Sequence, residues 1–257
     1  MVAAYPDLLP EVTGLPSPVG IELQSGVKPL LRFARDVRTD LEDDRWTTDL
    51  ADVAREPETL GKGRAMPVYT VYRNVQSFGT LSEEVERHGL CYTLLAMRGG
   101  TLLTTPEYGR TRGHTNSVAP GTHIPYPEIH EVLTGDAWLY LQQGATNSPA
   151  DTVVMPLHSG DKAVVAPGWA SVLVNIGEKP LIVGTWRMAD CQTEHDALVA
   201  LGGMAHYILR SDTGKPFCEA NEHYKTVPVP RHVVPREFPD FGLTTGEPLL
   251  TDRKSVV

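Results

Sequence analysis

The stretch EIHEVLTGDAWLYLQQ (128–143) decides the fold, because it holds two short runs of β-type residues joined by the turn formers Gly135 and Asp136. Similar runs recur between residues 68 and 188, and most are separated by turns that contain glycine or proline. They are VYTVYRNV (68–75), LCYTLLAMR (90–98), TLLTT (101–105), TVVMPL (152–157), KAVVAP (162–167), SVLVNIG (171–177) and LIVGTWRM (181–188). Many short strands with tight turns predict an antiparallel β-sandwich or barrel.

The flanking segments lack this pattern, so we expect one barrel with two arms. Residues 1–65 are predicted to form an N-terminal arm, with one or two short helices over residues 32–58, where apolar residues recur at helical spacing. The barrel is expected over residues 66–210, and its segment 189–203 has the pattern of one outer helix closed by glycine. Residues 211–257 are rich in proline and predict a surface-wrapping tail. A chain of 257 residues suits a single domain of this kind.

Composition argues against several classes of function. The chain has 23 basic and 32 acidic residues and a net charge of −9, so a nucleic acid is a poor partner. No charge-free apolar segment is long enough to span a bilayer, and the N-terminus lacks the features of a secretory signal. We therefore expect a cytoplasmic protein with no membrane partner. Cys91, Cys191 and Cys218 lie far apart and predict isolated reduced thiols.

The segment TRGHTNSVAPGTHIPYPEIHEVLTG (111–135) concentrates imidazole and carboxylate groups more than any other part of the chain. On a strand, residues two apart face the same side, so Glu128 and His130 are predicted to point together and Glu131 the other way. A carboxylate beside an imidazole supplies half of a metal site, since both donors suit first-row cations. The same pair also suits an ordinary ion pair at a barrel mouth.

Several of these motifs resemble those of the cupin superfamily. The spacing of Glu128 and Gly135 is similar to the first cupin motif, and the segment from Gly160 through Pro167 to Asn175 is similar to the second. Within the cupins, the chain resembles the archaeal-type glucose-6-phosphate isomerases over roughly residues 20–210. The stretches that carry this resemblance are VYTVYRNV (68–75), TRGHTN (111–116), PEIHEVLTGDAWLYLQ (127–142), VVAPGWASVLVNIGEKPLIV (164–183) and ADCQTEHD (189–196).

The resemblance implies an all-β fold, a single cupin (jelly-roll) β-barrel with a few peripheral helices and extended N- and C-terminal arms. It also implies a homodimer. In functional members of the family, a divalent cation is held by three histidines and one glutamate beside the sugar-phosphate site. A small-molecule substrate, phosphorylated in the family, is therefore the partner that the resemblance implies.

Matched by position, the family's metal ligands are incomplete in this chain. His114 and Glu128 match two ligands, and the glutamate is also the family's favoured base for proton transfer. Asn116 and Ser171 stand where two further histidines are expected. Asparagine and serine are poor replacements for imidazole in binding such cations.

Two additional histidines lie close to the missing positions. An insertion between Asn116 and Glu128 introduces His123, and His130 occupies an inward position where the family usually has a tyrosine. We therefore predict that a divalent cation, Fe, Mn, Ni or Zn, is held by a set drawn from His114, His123, Glu128 and His130. A solvent-exposed loop position for His123 is the alternative.

Other matching positions belong to the substrate pocket of the family. Thr111 and Gly113 match positions beside the substrate phosphate, and His195 matches a histidine that lines the pocket. Arg187 stands where the family tends to have a tyrosine. If Arg187 faces into the barrel, its guanidinium could clamp a phosphate or carboxylate through two parallel hydrogen bonds.

These assignments favour a metal-dependent isomerase or epimerase of a sugar phosphate or related hydroxy-carbonyl compound, with Glu128 and His130 as catalytic residues. Conversion of an aldose to a ketose needs a base that moves a proton between adjacent carbons, or a metal that polarises the carbonyl and hydroxyl groups for hydride movement. Glu128 suits the role of base if an apolar wall raises its pKa toward neutrality. Two alternatives stay open: another cupin reaction, such as cyclisation, elimination or decarboxylation in a specialised biosynthetic pathway, and a metal-free small-molecule-binding cupin.

Overall fold

A computed structural model gives the structure of residues 45–58, 67–72, 87–102, 105–247 and 249. These residues form fourteen β-strands and one four-residue α-helix. The strands are β1 Arg45–Asp49, β2 Pro67–Tyr72, β3 Leu90–Met97, β4 Thr115–Asn116, β5 Glu128–Thr134, β6 Asp136–Gln143, β7 Thr152–His158, β8 Lys162–Val165, β9 Trp169–Asn175, β10 Leu181–Met188, β11 Thr193–Glu194, β12 His206–Arg210, β13 Pro216–Ala220 and β14 Arg231–His232. The helix, α1, is Asp196–Val199, and short 3₁₀ turns cover Leu50–Asp52 and Pro239–Phe241.

Two principal sheets make up the body of the molecule. The six-stranded sheet has the order β1-β2-β3-β10-β5-β8, and the four-stranded sheet has the order β14-β7-β6-β9. Strands that are distant in sequence are neighbours in both sheets, as in a jelly roll. Leu95 and Val183 from the first sheet and Leu139 and Leu173 from the second belong to one buried apolar core. The predicted all-β jelly-roll barrel is confirmed.

Eight of the nine predicted runs form strands in the described parts of the chain. The exception is TLLTT (101–105), where Thr101 makes only an isolated bridge to Tyr108. The helices predicted over residues 32–58 are wrong where the structure describes them, because residues 45–49 form β1 and pair with β2. Strand β1 contains Trp46, Thr47 and Thr48, which are residue types that favour strands. Pairing with β2 therefore outweighs the helical spacing of the apolar residues in this segment. Residues 32–44 lie outside the described residues.

A second core lies on the other face of the four-stranded sheet. Tyr140 and Val172 of that sheet pack there with Leu198, Met204 and Ile208, which come from α1, the following turn and β12. The segment 189–203 thus contains β11 and the single-turn α1 instead of one longer helix. Strands β13 and β14 lie within the segment that was predicted as a tail.

Strand β5 is central to the candidate site. Its pairing with β10 shifts register because Val132 faces Val183 and Thr134 faces Ile182, which leaves Leu133 as an extra residue in a bulge. The turn after β5 depends on Gly135, whose φ is +95° and whose Cβ, if present, would lie 2.7 Å from the carbonyl oxygen of Pro180.

The outer face of β5 holds the C-terminal segment. The buried Glu131 carboxylate lies 3.5 Å from Lys162 Nζ on β8, and it accepts a 2.9 Å hydrogen bond from the backbone N–H of Leu249. Lys162 also donates to the carbonyl oxygen of Thr244 at 2.6 Å. Glu131 therefore points away from the interior that Glu128 faces, as strand parity predicts.

Two predictions from composition concern the cysteines and membrane-spanning helices. Cys91, Cys191 and Cys218 form no disulfide with one another, as expected for isolated thiols. A search of the described residues finds no helix with the length and apolar character needed to cross a membrane.

Candidate active site

Glu128 is the centre of the candidate site. It is the first residue of β5, it points between the two sheets, and only 2% of its surface is exposed. Its Oε1 accepts a 3.0 Å hydrogen bond from the Ser171 hydroxyl on β9. The same oxygen lies 3.2 Å from Nε2 of His114 and 3.2 Å from Nε2 of His130. Three polar side chains thus converge on one buried carboxylate.

His130 is oriented by the neighbouring strand. Its Nδ1 lies 2.8 Å from Oγ1 of Thr185, its register partner on β10, and the ring is buried. The contact between Nε2 and Glu128 lacks the geometry of a hydrogen bond, and Nε2 has no hydrogen-bond partner among the residues that the structure describes. A buried polar atom in this condition commonly marks a place where a ligand or ion binds.

His114 reaches Glu128 from the opposite sheet. Its backbone exchanges hydrogen bonds with that of Ser171, which holds the turn 111–114 against β9. The His195 ring packs edge-on against His114 with centroids 5.9 Å apart, and His195 Nδ1 donates to the carbonyl oxygen of Gly113 at 2.9 Å. Burial lowers the pKa of His195, so its ring is neutral at neutral pH. The structure therefore brings the predicted residues His114, Glu128, His130 and His195 together.

The charge of Glu128 results from two opposing effects. Burial by itself would raise the pKa, but the imidazoles of His114 and His130 favour the ionised form and hold the pKa of Glu128 well below its usual 4.5. The carboxylate is therefore ionised at neutral pH. The apolar wall that would raise this pKa toward neutrality is not what surrounds Glu128, so that expectation is corrected.

Asn116 and Ser171, the two replacements for histidine, have different surroundings. Ser171 donates its hydroxyl hydrogen to Glu128. Asn116 donates from Nδ2 to the carbonyl oxygen of Tyr126 at 3.0 Å, while its buried Oδ1 has no partner within the described ranges. Serine thus positions the carboxylate, and asparagine holds the chain that enters β5.

His123 lies away from this cluster. It is exposed in the loop 117–127, which folds on itself through a bridge between Val118 and Pro125 and is fixed by a 2.7 Å hydrogen bond from the Tyr126 hydroxyl to Asp190. The preceding Pro120 and Gly121 place this histidine on the solvent side of the loop. The prediction of His123 as a metal ligand is therefore corrected: the structure places it in the alternative, solvent-exposed position.

Thr111 and Gly113 are engaged within the fold. Thr111 Oγ1 accepts a 3.0 Å hydrogen bond from the backbone N–H of Leu173. A Cβ at Gly113 would lie 2.8 Å from Sδ of Met204, so this glycine is covered by the chain after α1. Both residues position the turn that carries His114, and a contact with substrate phosphate stays a prediction.

Arg187 lies on the inner face of β10 and is 7% exposed. Strand parity puts it on the same face as Thr185, and the contact of Thr185 with His130 identifies that face as the inner one. Nearby, burial raises the pKa of the Cys191 thiol to about 11, against the opposing effect of Arg187. Sequence reasoning missed Thr185 and Cys191 as site residues, although Thr185 shares strand parity with Arg187 and Cys191 lies in ADCQTEHD (189–196).

The donor types of the cluster suit a divalent cation, but its geometry is not that of a metal site. Across the described ranges, no three His, Cys, Asp or Glu side chains are arranged as a metal-binding group, and His114 and His130 each contact Glu128. Their types suit a cation, and separations near 3 Å are usual for donors that share one ion at bond lengths of about 2.0–2.2 Å. The unpartnered Nε2 of His130 agrees with this. The donor types of His114, Glu128 and His130 thus suit a divalent cation, while their present arrangement is that of side chains in contact with one another.

Comparisons with known proteins give one family and several distant structures. The profile of the family described as glucose-6-phosphate isomerase (GPI) matches residues 44–226. Among solved structures, the vicilins of Solanum melongena and Capsicum annuum share 11% and 12% identity, each with a TM-score of 0.36 over 50% of this chain and 31% of theirs. A variant of Bacillus subtilis oxalate decarboxylase shares 10% identity, with a TM-score of 0.35 over 50% of this chain and 28% of its own. The chain thus spans less than a third of each. The comparison with curated proteins found no match.

A jelly-roll barrel with histidines and a glutamate pointing inward from its strands defines a cupin. The family match covers most of the barrel, including every residue of the Glu128 cluster. The chain belongs to the glucose-6-phosphate isomerase family, and the resemblance found in the sequence is confirmed.

Proposed function

We propose that the chain is an enzyme that removes a proton from the carbon beside the carbonyl of a small hydroxy-carbonyl compound and returns it to the adjacent carbon, as an aldose–ketose isomerase does, or to the same carbon from the other face, as an epimerase does. The observation that carries this proposal is the contact of one buried carboxylate oxygen, Glu128 Oε1, with two imidazoles and a hydroxyl. Membership in an isomerase family supports the same class of reaction.

Glu128 acts as the base in this proposal, and for this the substrate must replace the imidazoles that contact the carboxylate, because those contacts hold its pKa low. The ionised carboxylate takes the proton from the carbon that bears the hydroxyl, and the electron pair of that C–H bond forms the C=C bond of an enediol. The carbonyl oxygen takes up a proton at the same time. Return of the proton from Glu128 to the former carbonyl carbon, with loss of the hydroxyl proton, completes the conversion.

His114 and His130 handle the protons on the substrate oxygens. Each Nε2 lies 3.2 Å from Glu128 Oε1, so a substrate that reaches the carboxylate also lies beside both imidazoles. Thr185 controls His130: when its hydroxyl donates to Nδ1, Nε2 carries the proton, and when Nδ1 donates, the Nε2 lone pair is available to a ligand.

A divalent cation bound by His114, Glu128 and His130 would polarise the carbonyl and hydroxyl oxygens of the substrate. In that case the same three side chains place the reacting carbons, and Ser171 keeps Glu128 Oε1 in position through its 3.0 Å hydrogen bond. His123 has no part in this set.

Deuterium exchange tests the proposal. The protein is incubated in D₂O with aldose and ketose phosphates, including fructose 6-phosphate, and with sugar acids, each with Fe, Mn, Ni, Zn or a chelator. Nuclear magnetic resonance then measures deuterium at the carbons beside the carbonyl. We expect exchange by the native chain and a fall of about 10²–10⁴-fold in Glu128→Gln.

The matched control replaces the other buried glutamate of β5 together with its lysine. Glu131→Gln with Lys162→Met removes a carboxylate from the same strand without leaving an unpaired charge, and it should retain exchange. Absence of exchange with every substrate and metal would overturn the proposal, as would equal activity of Glu128→Gln and the native chain.

A further inference from the structure

Among the buried arginine and lysine side chains that the structure describes, Arg187 is the one without a carboxylate at ion-pair distance. Its Nε has no hydrogen-bond partner, and no salt bridge connects its guanidinium to another described residue. Arg110 and Lys162 are similarly buried, yet Arg110 lies 3.1 Å from Glu107 and Lys162 lies 3.5 Å from Glu131. An unpaired charge in the interior costs several kcal/mol. Arg187 is therefore the group whose charge calls for an anion from outside the described chain.

The register of the sheet places Arg187 beside the reactive carboxylate. Thr185 pairs with His130 and Trp186 with Ile129, which is the last pair of the ladder. Continuing this register by one residue would bring Arg187 opposite Glu128, the first residue of β5. Side chains opposite each other on one face have Cβ atoms about 4.5–5.5 Å apart. Despite this position the two form no ion pair, because Glu128 instead contacts His114, His130 and Ser171.

Cys191 lies within electrostatic range of both groups. Both Arg187 and Glu128 influence the pKa of its buried thiol, in opposite directions. The thiol stays protonated and neutral, so it does not compensate the charge of Arg187.

The two positions that the family uses beside its phosphate make contacts within the fold. Thr111 Oγ1 accepts from the backbone of Leu173, and Gly113 gives its carbonyl oxygen to His195 while Met204 covers its Cα. Two arginines of this region, Arg112 in the turn 111–114 and Arg187 on β10, have an Nε without a hydrogen-bond partner among the described residues, and Arg187 is the more buried of the two.

We propose that Arg187 binds an anionic group of the substrate, a carboxylate or a phosphate, through its guanidinium and beside Glu128. This inference rests on the proposed function for the identity of the site. Because Arg187 and Glu128 are neighbours across two strands, the anionic group lies within a few bonds of the carbon that loses its proton. The substrate class is thus a short hydroxy-carbonyl compound that carries its negative charge near the reacting carbon.

Binding of simple anions tests the subsite without turnover. Inorganic phosphate and D-glycerate, a hydroxycarboxylate, are titrated calorimetrically into the native chain, Arg187→Met, Arg187→Lys and Arg210→Met. Arg210 is the matched control, since it is a strand arginine paired with Glu178 on the surface. We expect Arg187→Met to weaken binding by tenfold or more, Arg187→Lys to recover part of it, and Arg210→Met to match the native chain. The tighter of the two probes identifies the anion.

Steady-state and thermal measurements separate this subsite from a structural role. With an anionic substrate, Arg187→Met should raise KM much more than it lowers kcat, and a neutral substrate of the same carbon skeleton should show no such change. Removing an uncompensated charge should leave Tm unchanged or raise it. A large fall in Tm for Arg187→Met would show that the chain itself neutralises Arg187, which overturns the subsite.

The outcomes distinguish the two proposals. Binding of an anion that depends on Arg187, without deuterium exchange, retains the subsite and removes the isomerase function. Exchange that continues in Arg187→Met with an unchanged KM for anionic substrates retains the function and removes the subsite. Equal anion binding by the native chain and Arg187→Met also overturns the subsite.

Discussion

The two faces of β5 each bury a glutamate, and the two glutamates differ in their partners and in the direction of their pKa shift. Glu131, on the outer face, has a lysine and a backbone N–H as partners, and burial raises its pKa despite both. Glu128, on the inner face three residues earlier, has two imidazoles and a hydroxyl, and its pKa is lowered although burial acts against this. One face binds a segment of the chain itself, and the other gathers groups that can exchange protons.

This difference separates a structural carboxylate from a chemical one. Lys162, the partner of Glu131, also donates to the carbonyl oxygen of Thr244. The pair on the outer face of β5 therefore has its hydrogen bonds within the fold. The inner group has two imidazoles and a hydroxyl as partners, and one of them, His130, has a nitrogen with no hydrogen-bond partner in the described residues. Burial alone therefore does not distinguish the two roles, whereas the kind of partner does.

The largest expected effect comes from breaking the ion pair of Glu131 and Lys162 on the outer face of β5. Glu131→Gln leaves the ammonium group of Lys162 buried without a carboxylate, but the raised pKa of Glu131 shows that burial of its own charge offsets part of this cost. We therefore expect the free energy of unfolding to fall by less than the roughly 3–5 kcal/mol of a fully stabilising buried pair. The double variant with Lys162→Met should recover most of this loss. Urea unfolding measures both. If Glu128→Gln destabilised the chain more than Glu131→Gln, the comparison between the faces would be reversed.

An intermediate effect is the opposite pH dependence of the two glutamates. The lowered pKa of Glu128 means that its ionisation stabilises the fold above the usual value of 4.5, and that this stability is lost as the pH falls below it. The raised pKa of Glu131 means that its contribution is complete below 4.5 and declines as the pH rises through the folded-state value. Each slope is at most about 1.4 kcal/mol per pH unit.

Urea unfolding of the native chain, Glu128→Gln and Glu131→Gln from pH 3.5 to pH 7 measures these slopes. The difference between the native chain and Glu128→Gln should shrink toward acid pH. The difference between the native chain and Glu131→Gln should shrink toward neutral pH. Slopes of the same sign would mean that the imidazoles do not control the charge of Glu128.

The smallest expected effect is at His123. Because this side chain is exposed in the loop 117–127, His123→Ala should change the free energy of unfolding by less than about 0.5 kcal/mol and leave binding of Mn, Ni and Zn unchanged. His114→Ala is the contrasting variant, and it should weaken binding of these metals. Calorimetric titration of both proteins with each metal decides. Weaker binding by His123→Ala would return this residue to the site.

Much of the fold can be predicted from local sequence, because period-two alternation and turn-forming residues indicate strands and tight turns. Residues 45–49 show the limit of this reasoning. The apolar residues of the longer segment 32–58 recur at helical spacing, but pairing with β2 over five positions makes residues 45–49 a strand, and that pairing joins two segments that are separate in the sequence. Local patterns carry no information about such a partner.

The site divides in the same way. Strand parity alone predicts that Glu128 and His130 share a face and that Glu131 does not. The contacts of Glu128 with Ser171 and of His130 with Thr185 depend on how β5 meets β9 and β10, and no local pattern sets this. His123 shows the reverse case, since a residue type suited to metal binding lies in a loop that faces solvent. Residue type indicates which side chains could bind a metal, and the path of the backbone determines which of them lie in the site.

The bulge at Leu133 has a consequence for how this family can change length. On the N-terminal side of the bulge, loss or gain of a residue within β5 would turn Glu128 or His130 out of the barrel. At the bulge itself, one residue can be removed while the pairs on both sides, Val132 with Val183 and Thr134 with Ile182, are kept. Relatives that differ in length within β5 are therefore expected to place the gap at this position. A change of length at the bulge can therefore alter the turn at Gly135 without turning Glu128 and His130 out of the barrel.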